Sequence, residues 1–313
     1  MARALVFPGQ GSQAVGMGKE LAEALPTARA VFEEVDEALS QNLSRLMFEG
    51  PIEELTLTEN AQPALMAMSL AVTRVLRRDG GLEFGKHCKF VAGHSLGEYS
   101  ALCAADAFAL DATARLLNKR GQAMQKAVPV GQGAMAALLG LDFEAAAGVA
   151  RDAAEGQICD TANDNAPGQV VVSGNREAVE RAVELAKDRG ARRPMLLPVS
   201  APFHCALMQP AADIMAEALE ASPPAAPAVP LVANVVAGAV SEPDEIRDLL
   251  VRQVTSMVRW RESVLYMRDQ DVDNLVEIGA GKVLTTMLKR IDREVSGQAI
   301  NTPGDIEAFL KSM

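Results

Sequence analysis

A serine at the centre of residues 89–99 constrains this chain of 313 residues more than any other feature. Lys89 to Ala92 form a short, largely apolar run that is typical of a buried strand, and Gly93-His94-Ser95-Leu96-Gly97 then fits the pattern G-x-S-x-G. The Ala- and Leu-rich residues that follow, as far as Leu116, favour a helix. A strand, a sharp turn with serine at its tip and a helix make a nucleophile elbow, where glycines leave room for the bend and the helix N-terminus favours an oxyanion. We therefore predict that Ser95 is a catalytic nucleophile.

A serine nucleophile needs a general base, because its hydroxyl is scarcely ionised at neutral pH. The chain has three histidines. His94 adjoins the serine, where its side chain should point away from the nucleophile, and His87 precedes the strand on the predicted surface. By elimination, His204 is the predicted base. The two His-Cys pairs of the sequence lack the spacing of metal ligands, so no metal site is expected.

The residues alone leave open which group orients the base. Hydrolases with this elbow usually carry an Asp or Glu between the serine and the histidine. Asp142, Asp152 and Asp160 fit that order, although most acids in this stretch belong to a separate small unit. A backbone carbonyl is an equally consistent partner for the imidazole of His204.

A glycine-rich loop follows the first predicted strand, Ala4 to Phe7. Gly9-x-Gly11-x-x-Ala14 fits a loose dinucleotide-binding pattern, with acidic residues at 33–36 about where a ribose-binding acid would lie. Pro8 argues against a direct strand-to-helix phosphate turn. We therefore favour a tight loop that presents backbone N–H groups beside the elbow.

Composition limits the possible partners. Thirty Lys and Arg against 41 Asp and Glu give a formal net charge of −11, which argues against nucleic acid and requires a local cationic pocket for any anionic ligand. No apolar run approaches the roughly 18 residues of a membrane span, and the first residues do not form a signal segment. The cysteines lack C-x-x-C spacing and predict reduced, mostly buried thiols in a cytoplasmic protein. They are Cys88, Cys103, Cys159 and Cys205.

The strand and helix patterns predict a large α/β domain. Within it, residues 133–199 follow the order β-α-β-β-α-β, which is the ferredoxin-like arrangement. Strands are predicted over 134–139, 157–162, 169–173 and 193–199, helices over 142–154 and 175–189, and a turn over 163–168. We therefore expect a large domain of residues 1–126 and 200–313 and an inserted small subdomain of residues 127–199.

Helices are also predicted in the large domain. They cover 17–25, 27–40, 59–79 and 111–126, and Thr27 is the predicted cap of the second. The last of these carries Arg115 and Arg120. On helical periodicity alone, arginines in such a position favour a solvated face.

Several motifs, in order and nearly from end to end, make the chain resemble the malonyl-CoA:acyl carrier protein transacylase family of fatty acid synthesis. The elbow extends to Gly93-His94-Ser95-Leu96-Gly97-Glu98-Tyr99, and the first loop reads Phe7-Pro8-Gly9-Gln10-Gly11-Ser12-Gln13. Further matches are Lys119-Arg120-Gly121 with Met124-Gln125, residues 163–172, Pro202-Phe203-His204-Cys205, Gln253 with Trp260, and residues 277–284. Together they are far more specific than the elbow alone.

The resemblance implies a hydrolase-like main domain built on a parallel sheet, with the ferredoxin-like insert. It also implies roles that composition does not reveal. Ser95 would accept the acyl group and His204 would be its base. The backbone carbonyl of Gln253 would orient His204 in place of an acid. Backbone N–H groups of Gln10 and Leu96 would form the oxyanion hole.

The resemblance also implies how the substrate is selected. Arg120 would hold the malonyl carboxylate through a bidentate pair, for which a planar guanidinium is suited and lysine is not. Phe203 stands just before the histidine, where the family varies, and its bulky ring should disfavour an α-methyl group. We therefore expect malonyl to be preferred over methylmalonyl. No cofactor and no metal ion are implied.

The implied reaction is a ping-pong transfer through a seryl ester, with malonyl-CoA and acyl carrier protein as partners of a monomer that binds neither nucleic acid nor membrane. Three alternatives stay open: a serine hydrolase or thioesterase, a catalytically silent acyl-binding module, and an acyltransferase of a polyketide pathway. Because the carrier protein is acidic in this family, a cationic patch is expected. Its possible contributors are Lys19, Lys126, Arg259, Arg261, Lys282, Lys289 and Arg290.

Overall fold

Strands and helices are both spread along residues 2–313, which are the residues that the computed structural model describes. The strands are β1 (Arg3–Phe7), β2 (Phe90–Gly93), β3 (Gly133–Leu139), β4 (Cys159–Ala166), β5 (Gln169–Asn175), β6 (Arg193–Leu196), β7 (Leu231–Ala233), β8 (Gly238–Val240), β9 (Asn274–Ile278) and β10 (Ser296–Ile300). The helices are α1 (Lys19–Ala24), α2 (Pro26–Leu39), α3 (Leu43–Glu49), α4 (Ile52–Leu55), α5 (Thr58–Arg78), α6 (Phe84–His87), α7 (Gly97–Ala104), α8 (Leu110–Ala127), α9 (Phe143–Ala154), α10 (Arg176–Asp188), α11 (Gln209–Ala221), α12 (Pro243–Gln253), α13 (Trp260–Asp269), α14 (Val283–Ile291) and α15 (Pro303–Ser312). A 3₁₀ turn, Ala206–Met208, precedes α11.

The larger sheet has six strands in the order β10-β9-β1-β2-β7-β8. All neighbours pair in parallel except β7 and β8, which are antiparallel. Phe7 at the end of β1 stands opposite Gly93 at the end of β2. Because these two strands are central and parallel, the loops that follow them emerge side by side at one edge of the sheet.

Strand β1 shows why this sheet is covered on both faces. Leu5 and Phe7 point into the core shared with α2, α5 and α8, whereas Ala4 and Val6 pack on the opposite face with Trp260 of α13. All four residues are at most 1% exposed. A parallel strand that is covered by helices on both faces has a continuously apolar sequence, as Ala4 to Phe7 has.

The second sheet is antiparallel, in the order β4-β5-β3-β6. Along the chain its elements follow as β3-α9-β4-β5-α10-β6. Both helices bury alanine- and valine-rich faces against it. The prediction of a mixed α/β fold is confirmed: the chain has one sheet that contains parallel strands and a second that is antiparallel.

The two sheets meet where β4 runs past the segment before α13. Asn163 forms a parallel bridge with Val258, and two backbone hydrogen bonds hold it, from Asp164 N–H to the Val258 carbonyl at 3.0 Å and from Val258 N–H to the Ala162 carbonyl at 2.9 Å. Asp164, 1% exposed, also pairs with Arg261 at 2.7 Å. A backbone bridge and a partly buried ion pair thus fasten the smaller sheet to the larger one.

The predicted turn over 163–168 is wrong in extent. Strand β4 continues to Ala166, and only Pro167 and Gly168 form the turn. Register shifts at residues 161–163 and 164–166 leave extra residues out of the ladder with β5. These irregularities let polar residues such as Asp164 remain in a strand while contacting the larger sheet.

Thr27 is not a helix cap. Helix α2 begins one residue earlier, with Leu25 as its N-cap and Pro26 in the first turn, where the absent proline N–H costs nothing. The Thr27 hydroxyl instead donates to the Asp79 carboxylate at 3.2 Å. The Ala- and Leu-rich stretch after the elbow is also interrupted, because α7 ends at Ala104 and α8 starts at Leu110. No helix in residues 2–313 is long and apolar enough to cross a membrane.

Candidate active site

The elbow is closely packed at both of its glycines. A Cβ on Gly93 would lie 1.9 Å from the carbonyl carbon of Gly97, and one on Gly97 would lie 2.2 Å from the Phe7 carbonyl oxygen. Ser95 at the tip has a φ of 54°, in the left-handed region that costs a non-glycine residue free energy. The sequence pattern therefore makes the predicted strand-turn-helix, and it sets Ser95 at the ends of the two central strands.

His204 lies within hydrogen-bonding distance of this serine. Its Nε2 is 2.8 Å from Ser95 Oγ, and its Nδ1 is 2.9 Å from the backbone carbonyl of Gln253, the last residue of α12. Because a carbonyl only accepts, Nδ1 carries the proton and Nε2 is left as an acceptor for the serine hydroxyl. His204 also has a positive φ, of 58°. Two facing residues in left-handed conformations thus define the centre of the site.

The pKa of His204 is lowered to about 3, first by burial of the ring and then by the nearby positive charge of Arg120. The imidazole is therefore neutral at physiological pH. A neutral imidazole with a free Nε2 lone pair is the form that can take a proton from a serine.

The acids that fit the triad order lie elsewhere. Asp142 caps α9, Asp152 pairs with Arg189, and Asp160 accepts the backbone N–H of Ala206. In the structure, the partner of His204 Nδ1 is therefore a backbone carbonyl and not one of these acids. His94 lines the same cavity as the serine, but its Nε2 pairs with Asn165 Oδ1 at 2.8 Å.

Arg120 is buried, and the solvated face suggested by helical periodicity is wrong for this residue. It is 1% exposed, and its Nη2 lies 3.2 Å from Ser95 Oγ. Its guanidinium also donates to Gln62 Oε1 at 2.9 Å and to Gln253 Oε1 at 2.8 Å. Helix α8 approaches α5 closely at the next residue, Gly121, where a Cβ would lie 2.6 Å from a backbone oxygen of α5. Helix α8 packs against α5, and this packing turns the guanidinium inward. The helical periodicity of the sequence does not predict that contact.

Two backbone N–H groups beside the serine are available to a ligand. Within residues 2–313, neither Gln10 N–H nor Leu96 N–H donates a hydrogen bond, and both residues line the cavity at Ser95. The first loop rests on the elbow, since a Cβ on Gly9 would lie 2.7 Å from the His94 carbonyl oxygen. A loop in this position can present donors to an oxyanion.

The cavity that holds these groups has a volume of about 400 Å³. Its lining includes Ser95, His204 and Arg120. Apolar side chains from α8, from the smaller sheet and from the segment after β6 also line it, and they include Met124, Met135, Val171, Leu197 and Phe203. Such a site suits a short acyl group with a terminal negative charge.

Four of the seven candidate cations of the docking patch fall into two pairs. Arg259 pairs with Glu262, and Arg261 pairs with Asp164. Lys282 and Arg290 line a shallow pocket beside Val283 and Met287, which also line the cavity of the serine. These two cations therefore lie near the mouth of the site.

Within residues 2–313, no group of three or more His, Cys, Asp and Glu side chains could hold a metal ion. The cysteines, at 88, 103, 159 and 205, are all free and buried. Burial raises the pKa of the Cys103 thiol to about 12, so this group stays protonated and unreactive.

Sequence reasoning missed the roles of two residues that support the elbow, Asn234 and Glu98, and it missed the role of the Gln253 side chain. Asn234 Oδ1 accepts the Ser95 N–H at 2.8 Å, and Asn234 Nδ2 donates to the Gly93 carbonyl at 2.7 Å. Gln253 Nε2 donates to the Ser95 carbonyl at 3.0 Å, and Glu98 receives bonds from both Asn234 and Gln253. The one available signal was a carboxylate, Glu98, inside an otherwise apolar helix.

Comparisons with known proteins agree with this geometry. The acyl transferase domain family matches residues 4–302. A malonyl CoA-acyl carrier protein transacylase of Bacillus subtilis is 46% identical over 311 residues, which cover 99% of this chain and 96% of that protein. The structure is similar to an acyl-carrier-protein-S-malonyltransferase from Bartonella henselae, with a TM-score of 0.98, 55% identity, and coverage of 100% and 99% of the two chains. It is also similar to a malonyl-transacylase in complex with its type II PKS acyl-carrier protein, with a TM-score of 0.96, 44% identity and full coverage of both chains. This chain therefore belongs to the acyl transferase family that includes the malonyl CoA-acyl carrier protein transacylases.

Proposed function

We propose that this chain transfers malonyl from malonyl-CoA to the phosphopantetheine thiol of an acyl carrier protein through an ester on Ser95. One observation carries the proposal: the Ser95 hydroxyl lies 2.8 Å from a neutral imidazole nitrogen and 3.2 Å from a buried guanidinium. A nucleophile, its base and a carboxylate-binding group thus share one cavity. That combination fits an acyl group that ends in a carboxylate.

In the first half-reaction, Ser95 Oγ attacks the thioester carbonyl of malonyl-CoA while its proton moves to His204 Nε2. The negative charge that develops on the carbonyl oxygen is stabilised by the free N–H groups of Gln10 and Leu96. When the tetrahedral intermediate collapses, the carbon–sulfur bond breaks and the CoA thiolate takes the proton from His204. The malonyl ester on Ser95 remains.

The second half-reaction reverses these steps with another thiol. The carrier thiol gives its proton to His204 Nε2 and attacks the ester, and the proton then returns to Ser95 Oγ. Splitting the transfer lets two large thiol substrates use one site in turn, which is the advantage of a covalent intermediate. Throughout, the Gln253 carbonyl holds Nδ1–H and so keeps the imidazole in the useful tautomer.

Arg120 acts in binding and not in bond formation. Its planar guanidinium can take a carboxylate through two parallel hydrogen bonds. In the substrate-free site, Gln62 and Gln253 occupy donors of Arg120 and hold the guanidinium near the serine. A malonyl group esterified to Ser95 would reach this guanidinium with its distal carboxylate.

The acyl carrier protein is the second partner in the proposal. The similar malonyl-transacylase solved with its carrier protein supports it. Lys282 and Arg290, beside the mouth of the cavity, are the cations of this chain best placed to meet an acidic carrier. Their position matters because the net charge of −11 would otherwise repel such a partner.

The proposal extends to the domain organisation and the compartment. The antiparallel order β4-β5-β3-β6 and the β-α-β-β-α-β sequence support a ferredoxin-like subdomain of residues 127–199, inserted between residues 1–126 and 200–313 of a hydrolase-like domain. The four free cysteines support a reducing compartment such as the cytoplasm.

Mass spectrometry of the intact protein after brief exposure to malonyl-CoA tests this function. We expect a malonyl adduct on Ser95, which disappears when acyl carrier protein is added and reappears on the carrier. Release of free malonate instead would show a thioesterase. Tight binding without an adduct would show a silent acyl-binding module.

Phe203 should make the site selective for malonyl over methylmalonyl. Its ring is 8% exposed and lines the cavity next to His204. An α-methyl group would have to displace this ring, whereas the smaller side chain of a Phe203→Ser variant would leave room. We expect Phe203→Ser to raise the methylmalonyl-to-malonyl ratio of kcat/KM by about 10-fold, the scale of one methyl group in a packed pocket. Equal kcat/KM values for the two thioesters in the unmodified protein would contradict this role.

A further inference from the structure

We propose that Glu98 is a positioning residue for malonyl selectivity, because its carboxylate fixes the Gln253 amide that orients Arg120. This inference rests on the proposed malonyl transfer and adds a residue to its machinery. Glu98 is the second residue of α7 and is 1% exposed. It touches neither Ser95 Oγ nor the imidazole, so its action must pass through the residues it holds.

Both oxygens of Glu98 accept hydrogen bonds, and each donor belongs to a residue that supports the serine. Oε1 accepts the backbone N–H of Asn234, and Oε2 accepts the Nε2–H of Gln253. Asn234 and Gln253 then satisfy the N–H and the carbonyl of Ser95 through their side chains. Through these two residues, one buried carboxylate supports the N–H and the carbonyl of Ser95, whose backbone is in the left-handed conformation.

The orientation of the Gln253 amide is fixed by its neighbours. Arg120 can only donate, so the oxygen of the amide must face the guanidinium and the nitrogen must face Glu98. A carboxylate is the partner that suits the nitrogen, because it accepts without offering a donor. If the amide turned over, its nitrogen would face the guanidinium and the contact with Arg120 would be lost.

Charge gives a second reason for this arrangement. Arg120 is buried among neutral hydrogen-bond partners, Gln62 and Gln253, and a buried cation is costly unless an anion is near. Burial lowers the pKa of Arg120, and the electrostatic effects of Tyr99 and Glu98 oppose that shift. Burial raises the pKa of Glu98, and the hydrogen bonds from Asn234 and Gln253 and the charge of Arg120 oppose it. Because both oxygens of Glu98 accept from N–H donors, the geometry favours its ionised form. The chain Glu98–Gln253–Arg120 therefore links two buried charged groups through one side-chain amide.

The test compares malonyl with acetyl transfer in Glu98→Gln. A glutamine keeps the shape but offers one acceptor where two donors must be met, so the Gln253 amide loses its fixed orientation. We expect kcat/KM for malonyl-CoA to fall about 10-fold or more relative to that for acetyl-CoA, as for loss of a charge-assisted hydrogen bond. Glu98→Asp, which keeps the charge, should restore part of the ratio. Equal losses with both thioesters would overturn the proposal, because a purely structural defect does not distinguish them.

Ser100→Ala is the matched control. Ser100 lies on the same helix, is 0% exposed, and its hydroxyl has no hydrogen-bond partner within residues 2–313. We expect this variant to keep both rates and their ratio. If Glu98→Gln does not fold, Gln253→Leu decides, since it removes the amide and keeps the carbonyl that accepts from His204. An unchanged malonyl-to-acetyl ratio in that variant would overturn the proposal.

A double-mutant cycle measures the coupling. If Glu98 acts through Gln253, the variant with both substitutions should have nearly the same ratio as Gln253→Leu alone, and additive effects would refute the linkage. The proposed function itself is tested on the unmodified protein. If the unmodified protein does not transfer malonyl, the proposed function is rejected. If the variants are active and keep the malonyl-to-acetyl ratio of kcat/KM, only the role of Glu98 is rejected.

Discussion

The two sheets of this molecule differ in what they bury. Beside the six-stranded sheet, the charged or polar side chains of Glu98, Arg120, His204 and Gln253 are each at most 4% exposed. Between the four-stranded sheet and its two helices, the core is apolar and consists mainly of alanine, valine and leucine. The buried polar side chains on the strands of this sheet are few, and they are Asn163, Asp164 and Ser173. A buried polar network accepts few arrangements, because each unmet donor or acceptor costs free energy, whereas an apolar core tolerates many packings. We therefore expect substitutions in the polar network beside the six-stranded sheet to change the rate or selectivity of acyl transfer. Substitutions in the four-stranded sheet and its helices should change mainly the stability.

The largest effect should come from Ser95→Ala. Without the hydroxyl no ester can form, and we expect malonyl transfer to fall by about 10⁴-fold or more with the fold retained. Intact-mass measurement should show no adduct, and circular dichroism should match that of the unmodified protein. The Ser100→Ala control should be acylated normally. A malonyl adduct on the Ser95→Ala variant would mean that another residue is the nucleophile. The polar network around Ser95 would then not be the region that determines the chemistry.

Arg120→Ala should have the next largest effect. It removes the carboxylate partner and leaves two buried amides unpaired, so we expect the malonyl-to-acetyl ratio of kcat/KM to fall by about 100-fold. Arg115→Ala is the matched control, because Arg115 is exposed on the same helix and pairs only with Asp111. Unchanged selectivity in Arg120→Ala would refute the binding role.

The low pKa of His204, about 3, predicts a particular pH dependence. Acylation should show no loss near pH 6.5, the ordinary pKa of histidine, because the folded imidazole stays neutral there. Stability behaves differently. As the pH falls below 6.5, the unfolded chain binds a proton at this residue that the folded chain does not bind, so stability is lost progressively down to about pH 3.

At pH 5 this proton linkage amounts to about 2 kcal/mol of unfolding free energy. Urea unfolding of the unmodified protein and of His204→Gln at pH 7.5 and pH 5 measures it, and the loss should be smaller in the variant by that amount. His94, whose pKa is also lowered by burial, is present in both proteins and cancels in the difference. Equal losses in the two proteins would contradict a neutral, buried His204.

The smallest effect should come from the ion pair that fastens the smaller sheet. Asp164→Asn removes the charge opposite Arg261, and we expect a loss of about 1 kcal/mol of stability with malonyl transfer changed less than about threefold. Glu262→Gln, which breaks the more exposed pair with Arg259, is the control and should cost less. A large loss of transfer in Asp164→Asn would mean that the smaller sheet also positions reacting groups.

Much of the larger sheet was predictable, for a local reason. The elbow depends on a contact over a few residues, where Gly93 lies so close to Gly97 that a Cβ would block the bend. The first strand, Ala4 to Phe7, was equally clear, because an apolar run that ends in a glycine-rich loop leaves few alternatives. Strands β8 and β10 were missed, since β8 has three residues and β10 is an exposed edge strand with little apolar character.

The network around the serine was not predictable from local pattern. Arg120 lies 25 residues from Ser95 and Gln253 lies 158 residues away, so only the packed fold brings them together. The resemblance to a known family suggested both residues, but it did not suggest Asn234 or Glu98. Asn234 forms hydrogen bonds with backbone groups of the elbow, and Glu98 accepts hydrogen bonds from Asn234 and Gln253. No periodic pattern in the sequence indicates such contacts.

The bridge between Asn163 and Val258 has a consequence for how substrates enter. To widen the cleft on that side, the protein would have to break two main-chain hydrogen bonds and the neighbouring contact of Asp164 with Arg261. Hinge opening there is therefore disfavoured. In the proposed transfer, CoA and the carrier arm would reach Ser95 without the two sheets moving apart at this point, so the cleft would keep its shape through both half-reactions.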